Sequence, residues 1–164
     1  MIEINGEQYY GIIYKIENLI THYIYIGQTT HPRGFNGRYN YHGVGIERVY
    51  NYLLSKEKQE TSFNKHLLRS IRKYGFQAFV ITEILDTALS MDELNEKEIY
   101  YIKKFDSYHH GFNMSFGGDS ASGSKRPFGK DCPASKEVCQ ISLDGELIKI
   151  WDCATEASKA LKIE

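Results

Sequence analysis

Two short segments near the start of the chain consist mainly of β-branched and aromatic residues. Tyr9 to Ile16 and Tyr23 to Gln28 are dominated by Ile and Tyr, and the more polar stretch Glu17 to Thr21 separates them. Such residues suit the pleated, half-buried surface of a sheet. Two runs of this kind joined by a short polar break predict a β-hairpin.

The connector of this hairpin decides which residues face each other. With Asn18 to Thr21 as the connector, Tyr14 lies directly opposite Tyr25. The Cβ atoms of such a pair are about 4.5–5.5 Å apart, and both hydroxyls emerge on one face of the sheet. Two phenols on the same face could both take part in a catalytic reaction. An ordinary pair of strand aromatics is the alternative, because strands are rich in tyrosine.

A carboxylate interrupts the apolar stripe of a later helix. Ser90-Met91-Asp92-Glu93 has the spacing of a capping box, which predicts a helix that ends at about Phe105. Glu98 lies within the stripe of core-facing positions Met91, Leu94, Tyr101, Ile102 and Phe105. A carboxylate aimed at a core needs a cation, a hydrogen bond, a proton or a metal ion. Glu98 is therefore either paired or at the rim of the core, or it is a metal ligand at the edge of a cleft.

Other polar residues could join this carboxylate. Arg38 and His42 share a face if a helical turn lies between Gly37 and Gly43, although the glycines of this region disfavour one. They would supply a fixed cation and a titratable imidazole. Asn113 follows the predicted helix and could hold a backbone group or a phosphate oxygen, or shape a loop.

Two more segments follow in the middle of the chain. Ser62 to Tyr74 has helical spacing, and Gly75 predicts its end. Its polar side carries basic residues that either follow DNA phosphates or form an ordinary solvated face: Lys65, Arg69, Arg72 and Lys73. Phe76 to Leu85 is apolar on both sides of the strand alternation, which predicts a central strand of the sheet.

Six blocks of the sequence, in this order, resemble the GIY-YIG nuclease domain. They lie between Tyr10 and about Gly118 and read Gly11-Ile12-Ile13-Tyr14, Tyr25-Ile26-Gly27-Gln28-Thr29, Arg38-Tyr39-Asn40-Tyr41-His42, Phe63-Asn64-Lys65-His66, Glu98-Ile99-Tyr100-Tyr101-Ile102 and Gly111-Phe112-Asn113. The resemblance implies a small α/β (α+β) domain with a three-stranded antiparallel sheet flanked by helices. It also implies hydrolysis of phosphodiester bonds in DNA.

The same resemblance implies a set of site residues. The two motif tyrosines, the arginine, the histidine, the metal-binding glutamate and the asparagine fall on Tyr14, Tyr25, Arg38, His42, Glu98 and Asn113. One divalent ion on Glu98, Mg²⁺ or Mn²⁺, would neutralise the phosphorane and the leaving 3′ oxygen. Arg38 would contact the phosphate. Tyr14 would orient or deprotonate the attacking water, with Tyr25 and His42 holding the network.

Composition limits the other possibilities. The chain has 164 residues, of which 41% are hydrophobic, enough for one core of about a hundred residues and a small appendage. Its formal net charge of -1 means that DNA binding must rely on local basic surface. Cys132, Cys139 and Cys153 lack CxxC spacing, which argues against a disulfide framework and a zinc finger. We expect no signal peptide, no membrane span and a cytoplasmic location.

The last part of the chain has a different sequence pattern. We predict a catalytic domain over residues 1–118, a linker over 119–136 and a small module over 137–164. Asp144-Gly145 between two apolar runs predicts a hairpin, and Ala154 to Lys162 has helical spacing. This stretch resembles the short DNA-binding repeats attached to intron-type homing endonucleases. The chain ends before a second helix could follow, so we expect the module to be truncated.

These features favour a homing-type, metal-dependent DNA endonuclease. Its expected partner is double-stranded DNA, without a membrane or a small-molecule cofactor, and we expect it to act as a monomer. The alternatives are a GIY-YIG repair or restriction nuclease and a DNA-binding protein with a decayed active site.

Overall fold

The computed structural model describes residues 1–118 and 135–161. The chain divides into two compact units, Met1–Ala121 and Ser122–Glu164. Most of the predicted linker, Cys132 and the last three residues of the predicted module lie outside the described residues.

A three-stranded antiparallel sheet forms the centre of the first unit, in the order β4-β3-β5. A separate two-stranded hairpin precedes it, and helices flank it. This arrangement confirms the predicted fold class. The elements are β1 (Ile2–Ile4), β2 (Glu7–Tyr9), β3 (Gly11–Asn18), β4 (Ile24–Thr29), α1 (Gly34–Arg38), α2 (Ile46–Lys58), α3 (Lys65–Tyr74), a 3₁₀ turn (Phe76–Ala78), β5 (Phe79–Ala88) and α4 (Met91–Lys104).

The two faces of the sheet bury different helices. Because successive side chains of a strand point to opposite faces, Tyr14 and Ile16 of β3 face one way and Ile13 faces the other. Tyr14 and Ile16 belong to the apolar core formed with α1, α2 and α3. Ile13 and Ile26 pack instead against Leu94 of α4 and its neighbours. The sheet is therefore the middle of three layers, with α1, α2 and α3 on one face and α4 on the other.

The register of the β3–β4 hairpin differs from the predicted one. Tyr14 pairs with Gly27, and Tyr25 pairs with Ile16, so the two tyrosines are diagonal neighbours. The turn keeps four residues but lies one position later than predicted, at Leu19 to His22, because Asn18 remains in the ladder, with its N–H donating to the Tyr23 carbonyl at 2.9 Å. A shift of two positions leaves both tyrosines on one face, as predicted, because the side-chain period of a strand is two.

Three other predictions need correction. The strand predicted over Phe76 to Leu85 begins at Phe79 and is an edge of the sheet, because β3 takes the centre. Continuous apolar character does not separate a central strand from an edge strand whose outer residues stay exposed. The predicted helix from Ser62 begins later, with Asn64 as its N-cap. Helix α2 and the β1–β2 hairpin were not predicted.

Helix α4 forms as its capping box predicts. The Ser90 hydroxyl accepts a hydrogen bond from the Glu93 N–H at 3.2 Å, as a capping box requires, whereas the Glu93 carboxylate accepts one at 2.7 Å from the N–H of Leu89, the residue before the N-cap. Leu94 and Ile102 are buried, and Glu98 is half-buried between them in sequence. The helix thus sets the carboxylate at the rim of its buried stripe.

The second unit is a hairpin followed by a helix. Strands β6 (Val138–Ile141) and β7 (Leu147–Trp151) pair antiparallel, and α5 (Ala154–Leu161) follows. The Asp144-Gly145 hairpin prediction is confirmed, with Gly145 at a φ of 86° in the turn. Cys139 and Cys153 are free thiols. Across the described part of the chain, the search for a helix of membrane-spanning length and hydropathy finds none.

Candidate active site

Tyr14 lies at the centre of an aromatic cluster on the α1–α3 face of the sheet. Its side chain is only 1% exposed, and its hydroxyl lies 3.2 Å from the hydroxyl of Tyr39. Its ring centroid is 6.2 Å from that of Tyr25 and 5.1 Å from that of Phe35. Across the hairpin, a Cβ added to Gly27 would meet the Tyr14 hydroxyl at 2.4 Å. Glycine at position 27 therefore makes room for this phenol.

The phenols of the cluster remain protonated at neutral pH. Burial, followed by the neighbouring phenol of Tyr39, raises the pKa of Tyr14 well above its ordinary value of 10.0. Tyr14 in turn, together with burial, raises the pKa of Tyr25. A neutral phenol donates a hydrogen bond readily and is a poor base. Of the two roles expected for Tyr14, orienting a water fits this environment better than deprotonating it.

Arg38 ends helix α1 at the border of this cluster. Its guanidinium carbon lies 5.8 Å from the ring centroid of Tyr39 and 5.6 Å from that of Tyr52. One of its nitrogens, Nη1, donates to the Tyr52 hydroxyl at 3.1 Å. Arg38 is exposed overall, so the two rings orient a cation that still faces solvent.

The short helix that carries Arg38 is fixed by a histidine. The ring of His31 lies against Gly37, where a Cβ would meet Nδ1 at 1.8 Å. The same Nδ1 accepts a hydrogen bond from the Arg33 N–H at 3.1 Å. Gly37 thus permits the contact that sets the course of the chain into Arg38.

Glu98 belongs to the other face of the sheet, and edge strand β4 brings the two faces together. Gly27 leaves space for Tyr14 on one face, and the next residue, Gln28, points to the other. Gln28 Nε2 donates to Glu98 Oε2 at 3.1 Å and to Asn95 Oδ1 at 3.0 Å. The Gly118 N–H also donates to Glu98 Oε2, at 2.9 Å.

The carboxylate is close enough to influence the phenols electrostatically. The negative charge of Glu98 contributes to the raised pKa of both Tyr14 and Tyr25, while the charge of Arg38 opposes it. Tyr14 and Glu98 therefore lie on opposite faces of the sheet, at the neighbouring β4 residues Gly27 and Gln28. This is a site with one cation, one anion and neutral hydrogen-bond donors.

The residues at Glu98 fit a hydrated Mg²⁺ or Mn²⁺ ion. Glu98 supplies one half-buried carboxylate, and the neighbouring Gln28 has a buried Oε1 without a hydrogen-bond partner in the described part of the chain. Both are hard oxygen donors of the kind that Mg²⁺ prefers. Within residues 1–118 and 135–161, no three His, Cys, Asp or Glu side chains come together as a metal-binding group. A single carboxylate suits Mg²⁺, which keeps several of its waters.

His42 and Asn113 lie apart from the phenol cluster in different ways. Helix α1 ends at Arg38, so His42 occupies the following loop and the two do not share a helix face. His42 lines a separate cavity of about 270 Å³ with Tyr41 and Asn51. Asn113 pairs with edge strand β4, because its amide accepts from the Ile26 N–H and donates to the Ile26 carbonyl, both at 2.8 Å. It holds a backbone group, one of the roles considered from sequence.

The four predicted DNA-binding residues of α3 lie in different surroundings. Arg72 forms a two-pronged ion pair with Glu57, at 2.6 and 3.1 Å. Lys65 lies over the ring of Phe63 at 5.9 Å. Arg69 and Lys73 line a groove between α3 and the β3–β4 turn.

Sequence reasoning missed two members of the site. Tyr39 stands in the sequence only as the neighbour of Arg38, and Tyr52 belongs to the unpredicted helix α2. The apolar spacing Ile46, Val49 and Leu53 is the signal that predicts this helix, and all three side chains are buried.

Comparison with known proteins gives a distant structural likeness. Neither the family models nor the curated protein sequences contain a match to this chain. Among solved structures, the catalytic domain of homing endonuclease I-TevI is similar with a TM-score of 0.44 and 20% identity, over 64% of this chain and 98% of that one. A mutant of the catalytic domain of intron endonuclease I-TevI gives a TM-score of 0.46 and 20% identity, over 67% and 98%. At this distance, function must be inferred from the chain's own residues.

Proposed function

We propose that this protein is a metal-dependent DNA endonuclease of the GIY-YIG type. The observation that supports it is the placement of these groups about edge strand β4: Tyr14 and Tyr25 lie on one face with Arg38 at their border, and Glu98 lies on the other face against Gln28. These residues come from two strands, a short helix and a helix more than eighty residues after the first tyrosine. These residues have the same types and the same order along the chain as the motif residues of the nuclease domain that the sequence resembles.

Each group has a part in cleaving a phosphodiester bond. Such a reaction needs an oriented water, neutralisation of the charge on the phosphorane oxygens and stabilisation of the leaving oxygen. Arg38, oriented by Tyr52 and exposed to solvent, contacts the phosphate through charge-assisted hydrogen bonds. Glu98, with Gln28, would hold a divalent ion, whose positive charge would stabilise the developing negative charge of the reaction.

The phenols orient the water. Tyr25 is half-buried, whereas Tyr14 is enclosed. Tyr14 fixes the hydroxyl of Tyr25 from behind and is itself held by Tyr39. Removing the Tyr14 hydroxyl therefore disorders the group that meets the substrate. His42 completes the network only if its loop approaches the site when DNA is bound.

A homing role is the favoured version of this activity. The second unit contains the hairpin and helix expected of the DNA-binding repeat that the sequence resembles. A modular DNA reader beside a nuclease domain suits an enzyme that recognises an extended target. We therefore propose that this second unit also contacts the DNA.

Cleavage of supercoiled plasmid at low salt with Mg²⁺ tests the proposal. Wild-type protein is compared with Glu98→Ala and with Glu96→Ala, a matched variant of an exposed glutamate on the same helix. We expect wild type and Glu96→Ala to nick the plasmid and Glu98→Ala to lose at least 100-fold, in line with loss of a main electrostatic group. Mn²⁺ binding, measured by electron paramagnetic resonance, should weaken in Glu98→Ala alone.

Two results would contradict the proposal. Equal nicking by all three proteins would point to a contaminant or to a wrong ligand assignment. An absence of metal-dependent cleavage by folded wild type, on plasmid and on linear duplex, would favour a DNA-binding protein with a decayed site.

A further inference from the structure

A groove with a volume of about 500 Å³ lies between helix α3 and the turn that joins β3 to β4. One wall carries the side chains of His66, Arg69 and Lys73, and the other includes Tyr23 and Phe112. Basic and aromatic side chains thus face each other across an open groove. This combination suits a nucleic-acid strand, since cations bind its phosphates and rings pack against its sugars and bases.

The basic wall follows from the pattern of α3. His66, Arg69 and Lys73 recur at three- and four-residue steps, so they share one face of the helix. Leu67, Leu68 and Ile71 occupy the opposite face and are each 1% exposed. The core contacts of α3 therefore fix the direction in which its cations point.

The cations of the groove are available to a ligand. Arg69 and Lys73 are exposed and form no salt bridge within the residues that the structure describes. The neighbouring Arg72 differs, because it is paired with Glu57 outside the groove. Tyr23 is 43% exposed and stands edge-on to Phe112, with ring centroids 5.7 Å apart. Phe112 thereby supports a ring that solvent still reaches.

The groove lies on the same edge of the sheet as the candidate active site. Tyr23 directly precedes β4, and the Phe112 N–H donates to the Ile24 carbonyl of that strand at 2.9 Å. Gly27 is four positions after Tyr23, which corresponds to about 13 Å of extended chain. B-DNA rises about 3.4 Å per base pair, so this distance spans about four base pairs.

We propose that this groove binds the sugar–phosphate backbone of the substrate DNA about four base pairs from the cleaved bond. Arg69 and Lys73 contact phosphates, His66 donates a hydrogen bond to the backbone, and Tyr23 packs against the sugars. The proposal rests on the proposed nuclease function for its ligand. It adds a second DNA contact whose role is to hold the duplex in register with β4.

Binding measured without cleavage tests the groove independently of catalysis. The full chain is titrated in EDTA against a fluorescein-labelled 30-base-pair duplex, and anisotropy gives Kd at several KCl concentrations. Arg69→Gln/Lys73→Gln is compared with Lys103→Gln/Lys104→Gln, which removes the same charge from exposed positions on α4, the opposite layer. Thermal unfolding confirms that both variants are folded.

We expect Kd to rise at least 10-fold at low salt in the groove variant and less than 2-fold in the control. Each lost phosphate contact lowers the slope of log Kd against log salt by about 0.9, so the slope should fall by about 1–2 in the groove variant alone. Tyr23→Ala should weaken binding several-fold, and Tyr23→Phe should restore most of it.

Equal Kd values and slopes for the groove variant and its control would overturn the proposal. The proposal would also be overturned if the wild-type protein did not bind the duplex. It would equally be overturned if inorganic phosphate bound in the groove without any effect on the affinity for DNA. Failure of the nuclease proposal gives a different result, namely groove-dependent DNA binding without metal-dependent cleavage. If the groove variant cleaves DNA and binds it as tightly as the wild type does, only the groove proposal is contradicted and the nuclease proposal stands.

Discussion

The hydroxyl of Tyr14 lies against Gly27 so closely that a Cβ at position 27 would fall 2.4 Å from the phenol oxygen and 2.5 Å from the ring carbon that bears it. The two residues are direct partners in the β3–β4 ladder. A missing side chain on the edge strand thus allows a buried phenol of the central strand to reach the border of the sheet.

Replacing this glycine tests whether the space is needed. We expect Gly27→Ala to destabilise the protein by about 1–3 kcal/mol, because a methyl group is forced into occupied space. Cleavage should fall with it, since Tyr14 must move. Urea denaturation and plasmid nicking measure the two effects.

A double-mutant cycle with Tyr14→Leu separates this clash from a general effect on the strand. Gly27→Ala should cost less stability when the phenol is already absent. Strictly additive costs would mean that the two residues do not compete for the same space.

Variants that each lack one tyrosine hydroxyl should distinguish the phenol that orients the reacting groups from the phenol that only supports it. We expect Tyr14→Phe to lower the turnover rate about 10²–10⁴-fold while DNA affinity is kept, because the phenol orients a reacting group and is too enclosed to bind DNA. Tyr39→Phe should have a smaller effect, since Tyr39 acts through Tyr14. Single-turnover cleavage and anisotropy provide the rate and the affinity. An unchanged rate in Tyr14→Phe would remove this residue from the mechanism.

The buried phenols should make the protein sensitive to alkali. Folding raises the pKa of Tyr14 and of Tyr25 above the unfolded value of 10.0, mainly through burial for Tyr14 and through Tyr14 for Tyr25. Their contribution to stability is complete below that value and is lost as the pH rises from there toward the folded pKa. Each phenol that ionises only in the unfolded chain lowers the free energy of unfolding by about 1.4 kcal/mol per pH unit.

Urea denaturation between pH 7 and pH 11 measures this loss. We expect little contribution from these groups up to about pH 9 and a decline above about pH 10. The decline should be shallower in Tyr14→Phe. Identical curves for the variant and the wild type would show that the Tyr14 phenol ionises equally in both states.

Asn113 closes the outer edge of the sheet, and its loss should be a structural defect. Asn113→Ala removes two hydrogen bonds to the backbone of Ile26, at a cost of about 1–3 kcal/mol. We expect faster amide exchange at Ile26 and a parallel loss of cleavage. Asn95→Ala provides a comparison, because Asn95 contacts the Gln28 side chain instead of the backbone of β4. A loss of cleavage with normal stability and exchange would instead indicate a direct role for Asn113 in DNA binding.

The resemblance of the sequence to a known nuclease domain supplied the fold class, and the sequence by itself determined the first strands, the capped helix α4 and the C-terminal hairpin. These features depend on local signals: β-branched runs for strands, a serine and glutamate at the capping positions, and an Asp-Gly turn. It also selected Glu98, because a carboxylate within an apolar stripe conflicts with its surroundings. The resemblance to a known nuclease domain then grouped it with Tyr14, Tyr25 and Arg38.

Only the tertiary structure decided how these residues meet. The hydrogen bond that keeps Asn18 in the ladder set the hairpin register, and with it the contact between Tyr14 and Gly27. Packing between elements distant in sequence brought Tyr39 to Tyr14 and Tyr52 to Arg38, and it gave Asn113 its place on the edge of β4. Periodicity shows which face of an element is buried, but the partner across that face depends on contacts between distant segments.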